Sequence, residues 1–572
     1  MADHGITAPL LSSQSSNQVV LTLSDDDSDR PSAQSCAGND NPQFPHPYQS
    51  NSGETLVESD NPFRLLGCED LYVSPPATVN PFLNDTPNVD GLYEWLKIVV
   101  CLPIALVRLV IFGLSMLIGY LATKLALEGW KDKKNPMPRW RWRLMWVTRM
   151  CARFILLAFG YQWIKRKGKP APRETAPIIV SNHISYIEPI FYFYELFPTI
   201  VASESHDSIP CVGTIIRAMQ VIYVNRFSAE SRKDVVKEIK EIVTDFVIYR
   251  IEIRARRASC DRFPRVLLFP EGTTTNGRNL ISFQLGAFLP GYPIQPVIVR
   301  YPHVHFDQSW GNVSLAKLMF RMFTQFHNFF EVEYLPVISP LDDKKETASQ
   351  FADRTSRAIA TSLNTVQTGH AYGDLMLYMK ALEAKQENPT SFMVEIANMD
   401  SAFRVGSKEA LEFLDRFLSM NPDPSGCVQY HDFLRVLGLK ACPLSEAIFS
   451  FIDVEKSGII TFRQFLYKSS QVMKQPLFNQ ACESAFAECG NGLKGYLVEH
   501  ELLNFLRTAI PGWKENEVHE LFVLFDTDKD GRVSKDDFLS CLKKNPLLIA
   551  LFIPHLQHKN LLGDAVPLEE IV

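Results

Sequence analysis

From Ile98 to Thr123 the chain is apolar, broken only by the charge of Arg108. About 20 apolar residues suffice to cross the hydrocarbon core of a bilayer. This segment must therefore meet lipid or become a buried core helix. Six of the eight tryptophans (Trp95, Trp130, Trp140, Trp142, Trp146 and Trp163) lie in or beside it, as interfacial anchors do. Lys131, Lys133, Lys134, Arg139, Arg141 and Arg143 follow it closely. Short basic stretches stay on the cytosolic side, so the chain beyond is expected to face the cytosol. Pro103 and Arg108 leave two geometries open, a full crossing and a re-entrant hairpin. A second apolar run, Phe154 to Trp163, is too short to span and is expected in the interface or against the next domain.

Around this anchor the chain changes character. Residues 1–88 are rich in Ser, Asn, Asp and Pro, with Arg30 the one Lys or Arg among the first sixty. So little apolar surface cannot offset ordering entropy, and a disordered acidic tail is expected. Its start, MADHGITAPLLSSQ, lacks the basic and apolar blocks of a secretory signal. Residues 89–165 form the membrane-anchoring region. Over 166–345, β-like runs (Pro177–Val180, Val221–Val224, Val266–Phe269, Ile294–Val299 and Val332–Val337) alternate with helical stretches. That pattern predicts an α/β domain with a mixed sheet flanked by helices. A helical connector over 346–400 leads to an all-α module over 401–548, where glycine-centred loops recur every 32 to 37 residues. Residues 549–572 are a tail. A formal net charge of -6 argues against a nucleic-acid partner. The 11 cysteines include no C-x-x-C pair, which argues against a disulfide scaffold or a zinc module.

The first chemistry lies in Pro177-Ile-Ile-Val-Ser-Asn182-His183-Ile-Ser-Tyr-Ile-Glu188-Pro189. A buried strand ending at Ser181-Asn182 puts His183 on a loop. Pro189 suits the first position of a helix, which places Glu188, held extended before it, at the helix start. A carboxylate on one imidazole nitrogen fixes the tautomer and leaves the other nitrogen as a general base. The alternative is a surface histidine beside a helix cap. Downstream, Val266-Leu-Leu-Phe-Pro-Glu271-Gly272-Thr273-Thr-Thr-Asn-Gly277 is a strand entering a loop of glycines and hydroxyls, which suits close approach to an anion. Val221-Ile-Tyr-Val-Asn-Arg226 ends a strand with a guanidinium able to grip phosphate through two bonds. Ile294-Gln-Pro296-Val-Ile-Val is a core strand with an early proline.

In this order the four blocks resemble the glycerolipid (lysophospholipid) acyltransferase family over roughly residues 170–340. With the anchor before them and the glycine loops after, the chain looks closest to the calcium-loop lysophosphatidylcholine and lysophosphatidylethanolamine acyltransferases of plants. The resemblance implies that His183 deprotonates a glycerol hydroxyl for direct attack on acyl-CoA, oriented by Glu188. It implies that Asn182, Arg226, Glu271, Gly272 and Thr273 serve the acceptor, that Pro296 shapes the acyl-donor site, and that no cofactor is needed. It also implies residence on an intracellular endomembrane, either endoplasmic reticulum or Golgi and late endosome, with the catalytic domain facing the cytosol. Two departures stand out. Glu188 replaces the family's usual aspartate, and a β-branched run over 241–254 fills what is usually a short connection. Both would suit an alternative reading, a calcium-responsive membrane scaffold with an inactive domain. An acyltransferase acting on lysophosphatidate shares the chemistry.

Among the glycine-centred loops, Asp526-Thr-Asp528-Lys-Asp530-Gly531-Arg532-Val-Ser534-Lys-Asp-Asp537 matches an EF-hand best. Carboxylates stand at positions 1, 3, 5 and 12, Gly531 permits the turn, and Arg532 offers its carbonyl. Ca²⁺ is expected there, weakened because Asp537 is shorter than the usual glutamate. Loops 421–432, 453–464 and 490–501 are poorer in ligands and are expected to be structural partners or weak sites. His303 and His305 suit a metal pair less well than packing in a substrate groove. Cys211 and Cys260 lack the partners of a thiol nucleophile.

Overall fold

The computed structural model describes residues 61–69, 73, 79–130, 136–224, 248–259, 263–341, 346–490, 495–507, 510, 513 and 515–558. Arg226, residues 241–247 of the β-branched run, and the chain ends 1–60 and 559–572 lie outside them.

The catalytic-type domain is built on a seven-stranded sheet. Its strands are β1 (Lys165–Lys167), β2 (Ile178–Ser181), β3 (Thr199–Ser203), β4 (Ile222–Val224), β5 (Val266–Leu268), β7 (Ile294–Arg300) and β8 (Glu331–Tyr334), with the short β6 (Asn279–Leu280) outside it. The order is β1-β8-β7-β2-β5-β3-β4. Only β7 and β8 run antiparallel, which makes the sheet mixed, as expected. Central strands β2 and β5 are buried throughout, as sheets covered on both faces require. Side chains alternate between the faces. Ile179, Val297 and Val299 join one core with Phe159, Phe191 and Phe330, while Ile178, Val180, Ile294 and Ile298 join another with Phe288, Phe351 and Ile359. The edge strand β1 is three exposed basic residues, and charge on an edge discourages pairing with other chains. Residues 248–259, which include the described part of the β-branched run, are helical. Ile251 and Ala255 enter the second core, so this segment is part of the domain's packing.

Two helices precede the sheet: α1 (Leu92–Leu127) and α2 (Arg139–Ala158). They form an antiparallel hairpin. Gly119 lies where a Cβ would sit 3.3 Å from Cys151, Thr123 and Thr148 share a 3.0 Å hydroxyl contact, and Arg141 caps the carbonyls of Ala126 and Glu128. Small residues permit such close helix contact. The hairpin is inside out. Lys97, Arg108, Ser115 and Thr123 are buried, whereas Leu106, Val107, Leu109, Val110, Leu114, Leu117, Ile118 and Leu121 are exposed. Arg108 donates to the carbonyls of Phe323 (2.9 Å), Gln325 and Phe326 (3.0 Å), just past the helix Leu315–Phe323. The end of α2 packs on the sheet through Ile155, Leu156 and Phe159, so the second apolar run lies against the domain.

The connector consists of helices Ala348–Leu363 and Tyr372–Glu383, a short turn and Ile396–Phe403. Between the first two, β9 (Val366–Gln367) pairs with β6. Buried Asp374 accepts the backbone N–H groups of Ala371, Val394, Glu395 and Ile396 at 2.8–3.0 Å and so ties the second connector helix to the start of the third. The four loops form two pairs: Cys427–Gln429 runs antiparallel to Ile459–Thr461, and Tyr496–Leu497 to Val533–Ser534. Their glycines 426, 458, 495 and 531 all have positive φ, between 70° and 85°, the conformation that makes glycine necessary there.

Two expectations fail on composition. The segment 549–572 is not a tail throughout, because Ile549, Leu551, Phe552 and Leu556 are buried in the module's core. The segment 1–88 is not disordered throughout, because residues 61–69 and 79–88 are folded. Phe63 is fully buried in the module, 4.7 Å from the ring of Phe451, and Gln471 Nε2 donates to the carbonyl of Glu69 at 2.7 Å. A few apolar anchors in a polar sequence find a preformed core, which average composition does not reveal.

Candidate active site

The loops bearing the candidate groups leave the C-terminal ends of adjacent parallel strands, 182–186 after β2 and 269–277 after β5. From β2 the chain runs outward to β3 and β4, and from β5 it crosses to β7 and β8 on the other side. In open α/β sheets the crevice beyond such a switch point is where ligands bind.

His183 and Glu188 converge there. His183 Nδ1 lies 3.0 Å from Glu188 Oε2. Glu188 is completely buried and also accepts the N–H groups of Ser185 at 2.9 and 3.0 Å and of Ile184 at 3.3 Å. These donors lie in the loop just before α3 (Ile187–Glu195), whose positive end favours a carboxylate. The imidazole stacks on Phe269 with ring centroids 4.0 Å apart, and its side chain is 18% exposed. With Nδ1 committed to Glu188, Nε2 is the nitrogen left for a ligand. One detail differs from the sequence reading. The helix starts two residues before Pro189, so Glu188 lies in the first turn rather than extended ahead of it. Proline is tolerated there because first-turn N–H groups lack helical partners anyway. The longer glutamate still reaches its histidine.

The other sequence-assigned residues divide into two groups. Gly272 and Thr273 are half-buried on the loop after β5, where Gly272 has φ +78°. Asn182, Glu271 and Pro296 face inward. Asn182 exchanges both amide bonds with the backbone of Val299, at 3.1 and 2.8 Å. Pro296 sits buried in β7, in register with Val180, its carbonyl accepting from Leu335 N–H. Glu271, fully buried, accepts His183 N–H at 2.8 Å and faces the Thr275 hydroxyl at 3.2 Å. Thr275 N–H in turn donates to the His183 carbonyl at 2.8 Å. Both sides of the His183 peptide are therefore held by the loop after β5.

Burial pushes the Glu271 carboxyl up to about 8, against the lowering effect of its bond from His183. A raised folded-state value means the folded protein holds a proton that the unfolded chain releases near 4.5. Its contribution to stability is full below that pH and lost as pH rises through about 8. Glu271→Gln is expected to fold. The melting temperature of the wild type relative to the variant should fall between pH 4.5 and 8 and level off above. A constant difference across that range would show that Glu271 stays ionised.

Sequence reasoning missed Arg278. Its Nη2 pairs with Asp85 at 2.5 Å, beside the candidate loop, and only the structure brings Asp85 there. Asp85, His303 and Asp307 place possible ligand atoms within 4.8 Å of one another. Arg278 already neutralises Asp85, however, and Asp307 accepts from Asp85 N–H, Ser309 N–H and the Ser309 hydroxyl. This junction is hydrogen-bonded packing. His305 packs against Tyr93 with ring centroids 5.3 Å apart and the rings tilted by 52°. In the helical module, Asp526, Asp528 and Asp530 bring carboxylate oxygens within 4.8 Å of one another. Asp537 instead accepts from the Ser534 hydroxyl at 2.6 Å and from the Thr527 hydroxyl, and the Arg532 guanidinium lies over Tyr496.

A loop imidazole held by a buried acid, in the crevice of a mixed α/β sheet, fits an acyltransferase. Comparison with known proteins agrees. Residues 164–300 match the Acyltransferase family, and residues 494–545 match an EF-hand domain pair. The chain is 60% identical to lysophospholipid acyltransferase LPEAT2 of Arabidopsis thaliana, over 97% of this chain and 99% of that one. It is 28% identical to lysophosphatidylcholine acyltransferase 1 of Danio rerio, over 77% of this chain and 83% of that one. With the human lysophosphatidylcholine acyltransferase 1 it shares 27% identity over 83% of this chain and 87% of that one. The chain belongs to the lysophospholipid acyltransferase family.

Proposed function

We propose that this enzyme transfers an acyl group from acyl-CoA to the free hydroxyl of lysophosphatidylethanolamine or lysophosphatidylcholine, at the cytosolic face of an endomembrane. The observation that carries this reading is the 3.0 Å His183–Glu188 contact. His183 Nε2 takes the glycerol hydroxyl proton as that oxygen attacks the thioester carbonyl, and Glu188 balances the imidazolium. Collapse of the tetrahedral intermediate expels the CoA sulfur, which takes the proton back. Thr273 and the Gly272 backbone, with Arg226, serve the acceptor's phosphate, and Pro296 backs the acyl-donor side. Asn182 and Glu271 act by holding the His183 loop.

The inside-out hairpin supports membrane attachment without a full crossing. Polar groups avoid lipid and turn toward protein. Here Tyr93, Arg108 and the end of α2 all contact the same domain, so α1 and α2 dip into one leaflet from the cytosolic side. Protease reporters at residues 89 and 165 should be cut from one side. Opposite sides would mean a crossing.

Ca²⁺ at 526–537 rests on the three convergent carboxylates together with the Arg532 carbonyl and Asp537. Asp537 would have to turn from its present hydroxyl partners. One assay of purified protein tests function and ion together, using lysophosphatidylethanolamine, lysophosphatidylcholine and lysophosphatidate with acyl-CoA, in chelator and in Ca²⁺. The first two acceptors are expected to turn over fastest. Turnover of lysophosphatidate alone would overturn the assignment, and identical rates in both buffers would make the module structural.

A further inference from the structure

Residues 80–86 run between the two loops that hold the catalytic histidine. On one side they grip the loop after β5. Asn276 Nδ2 donates to the carbonyls of Asn80 and Leu83 at 3.0 Å each, and Asn276 N–H donates to the Pro81 carbonyl at 2.8 Å. Asp85 pairs with Arg278. On the other side they grip the loop 307–312. Asn84, 5% exposed, donates through Nδ2 to the carbonyls of Asp307 (3.1 Å) and Ser309 (2.7 Å) and accepts Thr86 N–H on Oδ1. Asp307 Oδ2 accepts Asp85 N–H at 2.9 Å, and Asp307 N–H donates to the Thr86 hydroxyl at 2.8 Å. A Cβ on Gly311 would stand 2.6 Å from the Asn84 backbone nitrogen, which shows how tightly the segment is seated. Each gripped loop then bonds one peptide of the histidine turn: Thr275 N–H donates to the His183 carbonyl at 2.8 Å, and Trp310 N–H to the Ile184 carbonyl at 3.0 Å.

We propose that Asn84 and Asp85 are positioning residues for acyl transfer, acting on His183 through the two loops they join. This rests on the reading of His183 as the base, and it makes a segment upstream of the membrane hairpin part of the catalytic apparatus. The physical logic is that a loop base is only as well placed as the backbone beneath it. A displacement on the order of 1 Å costs about a hundredfold in rate, and bonds on both flanks of His183–Ile184 converge on one short strap. Asp85 adds a second effect by holding Arg278 at the edge of the same loop.

The test uses the purified full chain, with rates expressed per folded molecule counted from the amplitude of the thermal melt. Asn84→Ala is expected to lower kcat about tenfold or more, an intermediate misplacement, and to move the pH profile of kcat. The KM for acyl-CoA should stay within about twofold. Asp85→Asn keeps the size of the side chain and removes only its charge, so it serves if Asn84→Ala does not fold. It is expected to lower kcat about threefold or more on the same argument. Rates per folded molecule within about twofold of the parent for every variant that folds, with an unmoved pH profile, would overturn the proposal. Failure of the underlying reading looks different, because His183→Ala would then keep the parent's turnover, or the unmutated protein would acylate no lysophospholipid at all.

Discussion

Replacing His183 by alanine is expected to lower acyl transfer roughly a thousandfold, within the range of about a hundredfold to ten-thousandfold set by loss of a general base. The protein should still fold. The backbone N–H of His183 keeps its bond to Glu271 and its carbonyl keeps that from Thr275. Glu188 retains the donors from Ser185 and Ile184, so the buried carboxylate is not stranded. What disappears is the imidazole stacked on Phe269 and, with it, the group proposed to take the hydroxyl proton. The check is turnover of lysophospholipid with acyl-CoA, normalised to protein in membranes. Unchanged turnover would refute the catalytic role. A parent protein with no turnover would instead favour a membrane scaffold that has kept the fold. The two sequence features that suited a scaffold have structural answers, since Glu188 reaches His183 and residues 251 and 255 pack into the sheet's core.

The legible parts of this molecule were those where one residue type has few physical options. β2 and β5 read as strands because short apolar runs ended in Asn182 or Pro270. The four loop glycines were readable because all need positive φ. The His183–Glu188 pair was readable because an acid near a loop histidine can converge across a helix start. Three things were not. β1 is Lys-Arg-Lys, a strand only because β8 offers it an edge. Asn182 and Glu271 looked like ligand groups, yet burial and backbone bonds turn them toward the scaffold. The strap over 80–86 buries Phe82 against Ile281 and Met393, and amide and carboxylate bonds to residues about 200 positions away fix its place, a pairing no local pattern encodes. The direction of α1 was also hidden. Arg108 marked an anomaly in an apolar run, but only its carbonyl partners show that the charged side faces protein.

Glu188→Gln is expected to cost as much as losing the base itself, and Glu188→Asp less. The glutamine side chain is isosteric, so Ser185 N–H can keep an acceptor and the melting temperature should hold. Its amide NH₂, however, can point at His183 Nδ1 where the carboxylate accepted a hydrogen bond. That favours the tautomer with hydrogen on Nε2, which cannot act as a base, and it removes the charge that stabilises the imidazolium. The same change in a serine hydrolase triad costs about ten-thousandfold through the wrong tautomer, and roughly a thousandfold or more is expected here. Aspartate keeps charge and tautomer but is shorter by one methylene, about 1.5 Å. It must therefore move away either from the 3.0 Å contact with His183 or from Ser185. A misplacement of that size costs about a hundredfold. The order wild type, Asp, Gln in kcat is thus set by geometry and charge separately. If the glutamine variant kept activity within about threefold of the parent, well below any tautomer penalty, Glu188 would not orient the base, and its burial against His183 would serve packing alone.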